Sequence, residues 1–474
     1  MSALWTLDAL VQATGARLAG APEREIAGVS IDSRSIGKGE AFFAIKGDRV
    51  DGHDFAAEAL RRGAALAVVA ADRAAAMPAG APLAVVPDVL EALRALARAA
   101  RARSTAKVIA VTGSAGKTGT KDALRLALSR DGETHASVAS FNNHWGVPLS
   151  LARLPASARF AVFELGMNHA GEIEPLTRLV RPHVAIITTV EPVHLEFFAN
   201  VEAIADAKAE IFLGLEPGGA AVLPRDNPQF DRLAAAARAA KAERIVGFGE
   251  HKAAEARLID AALKPDCSTA RANILGEEIA FKVGAPGRHL VQNCLAVLAA
   301  VKLAGADLAL AAVALAGLVP PSGRGRRISL DLGTGTALLI DESYNANPAS
   351  MRAALDVLAQ TPIGRRGRRI AVLGDMLELG PDAGELHRAL AEAVAAAKVD
   401  LVFCAGALMH ELWEALPPAM RGGYAETAAG IESEVVAAVR GGDAVMVKGS
   451  NGSRMAPIVK TLAERFRASA DAPA

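Results

Sequence analysis

The chain has 474 residues, 51% of them hydrophobic but only 4% aromatic, enough apolar material for about three domain cores. Lys plus Arg and Asp plus Glu each number 52, so the formal charge is zero. This disfavours wholesale binding to nucleic acid or to an anionic membrane, and any anionic ligand must be held by local sites.

The first residues have no basic stretch followed by a long apolar run, so they do not read as a secretory signal. The apolar stretch 292–316 is interrupted by Lys302 and Asp307 and reads as buried helix, with no membrane insertion expected. Cys267, Cys294 and Cys404 are far apart and form no CxxC pair. That pattern argues against a disulfide framework or a zinc site and fits a reducing, cytoplasmic setting.

The predicted class is α/β in three domains. Residues 1–105 read as a small α/β domain, with strands near 27–31, 41–45, 66–69 and 83–86 and helices over 54–62 and 89–101. Residues 106–319 repeat strand, turn and helix, with buried strands at 107–112, 159–165 and 183–190. Apolar runs separated by helices predict a parallel sheet covered on both faces. The alternating segment 255–283 predicts hairpins, residues 291–303 a helix, and Pro320-Pro321-Ser322-Gly323 a boundary. Residues 320–474 alternate again, with strands at 336–341, 369–374, 400–405 and 444–448, and predict a Rossmann-like sheet.

The strongest local signal is Gly113-Ser114-Ala115-Gly116-Lys117-Thr118, between an apolar strand and a helix. That setting suits a phosphate loop: glycines let backbone N–H groups turn toward phosphate oxygens, and the helix N-terminus adds positive partial charge. Lys117 is the candidate for the β/γ-phosphates and Thr118 for Mg²⁺. Val111 stands where the strict pattern has its first glycine, so the motif is GxxGKT. The plain alternative is a glycine turn with a solvated lysine.

Further motifs follow in order: Asn142-Asn143 with Gly146 and Pro148, Glu164-Leu165-Gly166 with Asn168, His194-Leu195-Glu196, and Ala207-Lys208 with Glu210-Ile211. Together these resemble the Mur ligase family along essentially the whole chain. Residues 33–55, 341–351, 374–380 and 447–455 are similar to the branch that adds D-alanyl-D-alanine. The resemblance implies a cytoplasmic, monomeric, ADP-forming amide ligase that uses ATP and Mg²⁺. Its substrates would be UDP-N-acetylmuramoyl-tripeptide and D-alanyl-D-alanine, joined through an acyl phosphate in peptidoglycan precursor synthesis.

The resemblance also implies roles. Gly113 to Gly119, Asn293, Arg324 and Glu342 would bind ATP. Thr118, Glu164 and His194 would serve the metal, and Lys117, His194 and a carbamylated Lys208 the chemistry. Ser33, Arg34 and Lys46 would take the UDP end, and Asn142, Asn143, Asn345 and Asn347 other parts of the substrates.

Each has an ordinary alternative. Glu164 could cap a helix, His194 could be any surface or core histidine, and Lys208, near Asp206 and Glu210, could be a solvated ion-pair residue. Asn142 and Asn143 could cap a turn, Ser33-Arg34 could be a surface turn, and the 341–348 segment a capped strand-to-helix loop. Leu290 stands where the family usually has asparagine, as do Ala115 for asparagine and Gly119 for threonine. Asp226-Asn227-Pro228 is read as a decoy, and Gly333-Thr334-Gly335 as a hairpin turn. Alternative functions are another Mur-type or folylpolyglutamate-type ligase, a P-loop switch or motor, and a non-catalytic UDP-sugar binder.

Overall fold

The structure, a computed structural model, describes residues 3–47, 50–138, 140–193, 195–333 and 335–466. Three sheets follow one another along the chain, beside a two-strand pairing of Trp5–Thr6 with Glu25–Ile26.

The first sheet has five strands. Gly28–Ser30, Glu40–Phe43, Leu66–Ala70 and Leu83–Val86 pair in parallel in that order, and Arg17–Ala19 adds an antiparallel edge. Helix Val89–Arg103 starts where the Asp88 side chain accepts from the Glu91 N–H. It buries Val89, Leu93, Leu96, Ala97 and Ala100, a helical repeat that gives one apolar face. Its far end is charged in sequence, yet Arg101 is buried.

The second sheet has nine strands and carries the phosphate loop. Lys107–Thr112 lies between Phe160–Glu164 on one side and Val184–Ile187 on the other, parallel to both. Glu164 is level with Val111, and Ile187 with Thr112, so the carboxyl ends of all three strands meet. Ala220–Pro224 and Arg244–Gly249 extend the parallel part, and Ala256–Leu263, Ser268–Ile274 and Glu277–Val283 finish the sheet as an antiparallel meander. Helices Lys117–Leu128 and Arg288–Leu303 cover one face. Helices Gly146–Ala152, Ile173–Val180 and Val201–Ala209 cover the other.

The third sheet has six strands. Thr336–Glu342, Ala444–Lys448, Arg369–Gly374, Leu401–Ala405 and Arg421–Ala425 are parallel neighbours in that order, with Arg326–Asp331 antiparallel at the edge. The two antiparallel strands flank residues 332–335, where the sequence predicts a hairpin turn; Thr334 lies outside the described residues. The strands at 220–224 and 244–249 went unpredicted. No helix of the described residues is long and apolar enough to cross a membrane.

The first sheet is tied firmly to the second. Trp5 Nε1 donates to the Ala152 carbonyl (2.9 Å), and the Arg103 guanidinium lies 3.5 Å from the Trp5 ring centre. Arg153 Nε donates to Val29 O (2.6 Å). Arg101 donates to Val180 O (2.8 Å) and Arg181 O (2.9 Å) and meets Glu216 at 3.3 Å. Contacts of the third sheet with the second are thinner: Arg324 to Ser140 Oγ (3.3 Å), and the Glu196 N–H to Glu378 O (3.4 Å).

Arg101→Ala strips the donor from two carbonyls between the first two sheets, a loss of about 2 kcal/mol. Its unfolding midpoint should fall by roughly 4–8 °C by scanning calorimetry. Replacing the exposed Arg98 of the same helix should shift it by less than about 2 °C.

Candidate active site

The phosphate-loop strand ends at Thr112, and helix Lys117–Leu128 begins after Gly116, whose φ is 81°. Gly113 has φ 141°. Both are left-handed values that favour glycine. A side chain at Gly116 would also strike Asn293, whose amide stands 2.6 Å from where its Cβ would be. Asn293 is therefore held against the loop.

The loop is fastened on its inner side. Ser114 N–H donates to Thr189 O (2.9 Å), and Ser114 Oγ both donates to Glu191 O (3.2 Å) and accepts from Glu191 N–H (2.9 Å). The Ser114 side chain is thus engaged with backbone. Lys117 Nζ folds back on Gly113 O at 2.6 Å. Burial lowers its pKa from the ordinary lysine value, opposed by Glu164 and reinforced by Arg324.

Glu164 is 1% exposed at the end of its strand. Thr118 Oγ1 donates to its Oε2 (2.8 Å), and Asn142 Nδ2 donates to its Oε1 (2.8 Å). The carboxylate thus faces the phosphate helix and does not cap the helix that follows. Thr118 Oγ1 lies 3.4 Å from Ser140 Oγ, which in turn accepts from Arg324. Asn143 takes its ordinary alternative, its Oδ1 accepting from the Gly146 N–H (2.9 Å). Asn142 does not: it holds Glu164.

Lys208 is 2% exposed, and among the described residues it has no hydrogen-bond or ion-pair partner. The solvated ion-pair reading fails, because helix Val201–Ala209 turns this position inward. Asp206 instead pairs with Arg232 (2.9 Å), and Glu210 accepts backbone N–H groups of Gly171, Ile173 and Glu174. Burial takes the Lys208 pKa well below the usual 10.5, with Lys117 adding to the effect. His194 lies outside the described residues.

A cavity of about 420 Å³ opens between the second and third sheets. Ala115, Gly116, Gly119 and Asn293 line its loop side, and Arg324, Glu342, Asn345 and Asn347 its far side. Arg324 comes from a turn in which Gly323 N–H donates to Asp341 Oδ2 (2.7 Å), and its guanidinium lies 4.3 Å from the Tyr344 ring centre. Asn347 caps helix Pro348–Gln360, accepting from Ser350 N–H (2.8 Å), so its carbonyl oxygen is committed to the fold.

Several cavity residues were missed. Lys448, 2% exposed, donates to Asn345 O (2.9 Å) and Glu342 Oε2 (3.3 Å). His289 is half-buried there too, and desolvation keeps its pKa below the ordinary histidine value. Asp226, Asn227 and Pro228, discounted as a decoy, line the cavity with Phe248 and Gly249. They follow one unpredicted strand, and Phe248-Gly249 ends the other, so recognising the strands would have found them. Leu290, in place of asparagine, is part of the same wall.

Ser33 and Arg34 follow strand Gly28–Ser30, and Lys46 follows its parallel neighbour Glu40–Phe43, so all three open on one end of the first sheet. Ser33 is buried, but Arg34 is 86% exposed and forks onto Asp32 (2.7 and 2.9 Å). Lys46 is exposed, in a bridge with Asp51.

Comparison with known proteins finds three family models along the chain. The Mur ligase family catalytic domain matches residues 25–101, the Mur ligase middle domain 111–301, and the Mur ligase glutamate ligase domain 325–451. UDP-N-acetylmuramoyl-tripeptide–D-alanyl-D-alanine ligase of Escherichia coli is 33% identical, over 97% of this chain and 98% of that one. The Rickettsia prowazekii enzyme of that name is 31% identical over 91% and 94%. A crystal structure of MurF from Acinetobacter baumannii superposes with a TM-score of 0.82 at 30% identity, covering 97% and 99% of the two chains. MurF ligase from Thermotoga maritima in complex with ADP gives 0.75 at 25% identity, covering 93% and 97%.

Burying an amine depresses its folded-state pKa, so between that value and 10.5 the unfolded chain carries the extra proton and stability rises with pH. In bicarbonate-free buffer, Lys208→Met should stabilise the chain by on the order of 1–3 kcal/mol. It should also flatten the rise in melting temperature between about pH 7 and pH 10, leaving the part due to Lys117. An unchanged slope would show that this amine is not the titrating group.

Proposed function

The chain belongs to the Mur ligase family, and from that premise we propose that its cleft joins D-alanyl-D-alanine to UDP-N-acetylmuramoyl-tripeptide, using ATP. The protein is an ADP-forming ligase of peptidoglycan precursor synthesis. The observation that carries the reading is the meeting of the phosphate loop, Glu164 and Arg324 at one cleft between two sheets. The three buried, unpaired cysteines suit a cytoplasmic reaction.

In this reading residues 1–105 hold the UDP end through Ser33, Arg34 and Lys46. Residues 106–319 hold ATP, and 320–474 close over it and admit the dipeptide. Adenine lies against Asn293 and the wall of Asn227, Pro228, Phe248 and Leu290; the triphosphate lies on residues 113–119. Lys117 leaves Gly113 O for the γ-phosphate, and Arg324 meets it from the other side. Glu342, held by Lys448, faces the ribose, and Asn345 and Asn347 face the incoming peptides.

The residues fit Mg²⁺. Thr118 Oγ1 and Glu164 Oε2 stand 2.8 Å apart in a buried pocket. Magnesium commonly takes one or two protein oxygens and fills its shell with water and phosphate. When bound, it draws charge from the phosphate oxygens. Asn142 orients Glu164 for this task, and the family resemblance would add His194, which lies outside the described residues.

The tripeptide carboxylate attacks the γ-phosphorus, the bond to the β-phosphate oxygen breaks, and ADP leaves. Lys117 and Arg324 neutralise the charge on the transferring group. The free amine of D-alanyl-D-alanine then attacks the acyl carbon. The tetrahedral intermediate expels inorganic phosphate, and the nitrogen gives up its proton. Positioning by the closing units supplies much of the rate.

Lys208 fits a carbamate. A neutral amine adds to CO₂ and loses a proton, which converts a buried base, unpartnered among the described residues, into an anion. That anion offsets the excess of positive charge at Lys117 and Arg324. With ¹³C-bicarbonate, the holoprotein should show a carbamate resonance that Lys208→Met lacks. Its absence in the active parent removes this role.

ADP formation with UDP-N-acetylmuramoyl-tripeptide and Mg²⁺ should depend on added D-alanyl-D-alanine. Lys117→Ala should lower turnover by roughly 10²–10³-fold. ADP release that is the same with and without the dipeptide, or with another amine acceptor, overturns the assignment.

A further inference from the structure

A loop that binds phosphate through backbone N–H groups has a matching hazard. Each of its peptide units also carries a carbonyl, and a carbonyl turned inward repels the anion. Residues 113–116 link strand to helix with two left-handed glycines, which leaves those peptides easy to turn. Something outside the loop has to hold them.

Four carbonyls at this turn have partners, and one of them, Gly116 O, is held within its own helix by the Thr120 N–H (2.9 Å). Gly113 O accepts from Lys117 Nζ. Thr112 O accepts from the Thr188 N–H (3.0 Å) and has Thr188 Oγ1 at 3.3 Å. Ala115 O has Thr188 Oγ1 at 2.5 Å. A hydroxyl has one proton, and the shorter distance assigns it to Ala115. Thr112 O keeps its strand partner in either case.

Thr188 itself is fixed. It is 3% exposed and follows strand Val184–Ile187, whose last residue is level with Thr112. Space for its hydroxyl exists only because residue 113 is glycine: a Cβ there would stand 2.0 Å from Thr188 Oγ1. Gly113 is therefore needed for this crossing as well as for its φ.

We infer that Thr188 is a positioning residue for the nucleotide phosphates, its hydroxyl holding the Ala115 carbonyl out of the cleft so that the N–H groups of residues 116–118 face the ligand. The inference rests on the reading of this cleft as the nucleotide site. It concerns binding of the nucleotide, before either peptide substrate takes part.

Three variants test it. Thr188→Val keeps the β-branched shape without a donor, Thr188→Ala removes the donor without crowding Ala115, and Thr188→Ser keeps the hydroxyl. Titration calorimetry with ADP and Mg²⁺ should show affinity lowered about tenfold in the valine and alanine variants and within about twofold of the parent in the serine variant. KM for ATP should rise in parallel, while KM for both peptide substrates stays within about twofold. Parent-like ADP affinity in the alanine variant overturns the inference. So does equal loss in the serine and alanine variants, which would place the role in the methyl group. Calorimetry needs no ligation, so a parent protein that binds ADP but ignores D-alanyl-D-alanine would sink the ligase assignment and leave Thr188 standing.

Discussion

The site depends on the parallel pairing of three strands. Lys107–Thr112 runs between Phe160–Glu164 and Val184–Ile187, in a register that ends all three at one level. From that edge the first strand delivers the phosphate loop, the second Glu164, and the third Thr188 with the segment that fastens Ser114. Open α/β sheets offer ligands this end of their strands. Here the middle strand supplies the anion cradle, and each neighbour supplies a group aimed at it. A one-residue slip in either neighbour would turn the opposite face of that strand toward the loop.

Charge follows from the same crowding. Lys117 lies near Glu164 and Arg324, Lys208 near Lys117, and both lysines have pKa values lowered by burial, while Glu191, Asp226 and Glu342 line the cavity alongside. Lys117 rests on a carbonyl of its own loop. A triphosphate, or an anion made at Lys208, would bring negative charge beside these two lysines. Electrostatic preorganisation of this kind costs fold stability in the absence of ligand and is recovered on binding.

Much of this was legible in the sequence. Buried β-branched runs marked the central strands, and the glycine–lysine–threonine turn marked the loop. Ala220–Pro224 is hard to read as a strand because it is alanine-rich and ends in proline, and Arg244–Gly249 because Gly247 interrupts its apolar run. Missing them hid the apolar wall of the cleft and made Asn227 look irrelevant. Lys208 was misleading for another reason. Its acidic neighbours in sequence suggest a solvated ion pair, but helix geometry sends Asp206 to Arg232 and Glu210 to backbone amides. Asn143 and Asn347 show the converse: the side-chain oxygen of each is occupied by the turn or the helix cap that such residues commonly serve. Which asparagine caps and which meets a carboxylate is decided by tertiary distance, which local pattern does not contain.

The joint between the first two sheets has a consequence for substrate choice. Trp5, Arg101, Arg103 and Arg153 lock the two bodies together across that joint. A nucleotide-sugar anchored on the first body, as proposed above, would meet the phosphate loop at a set span, like work held in a caliper. An extended peptide covers about 3.3–3.6 Å per residue. A donor one residue short leaves its carboxylate that far from the γ-phosphorus, and a donor one residue long must buckle. On the proposal above, the rigid joint would favour one stem length over its neighbours.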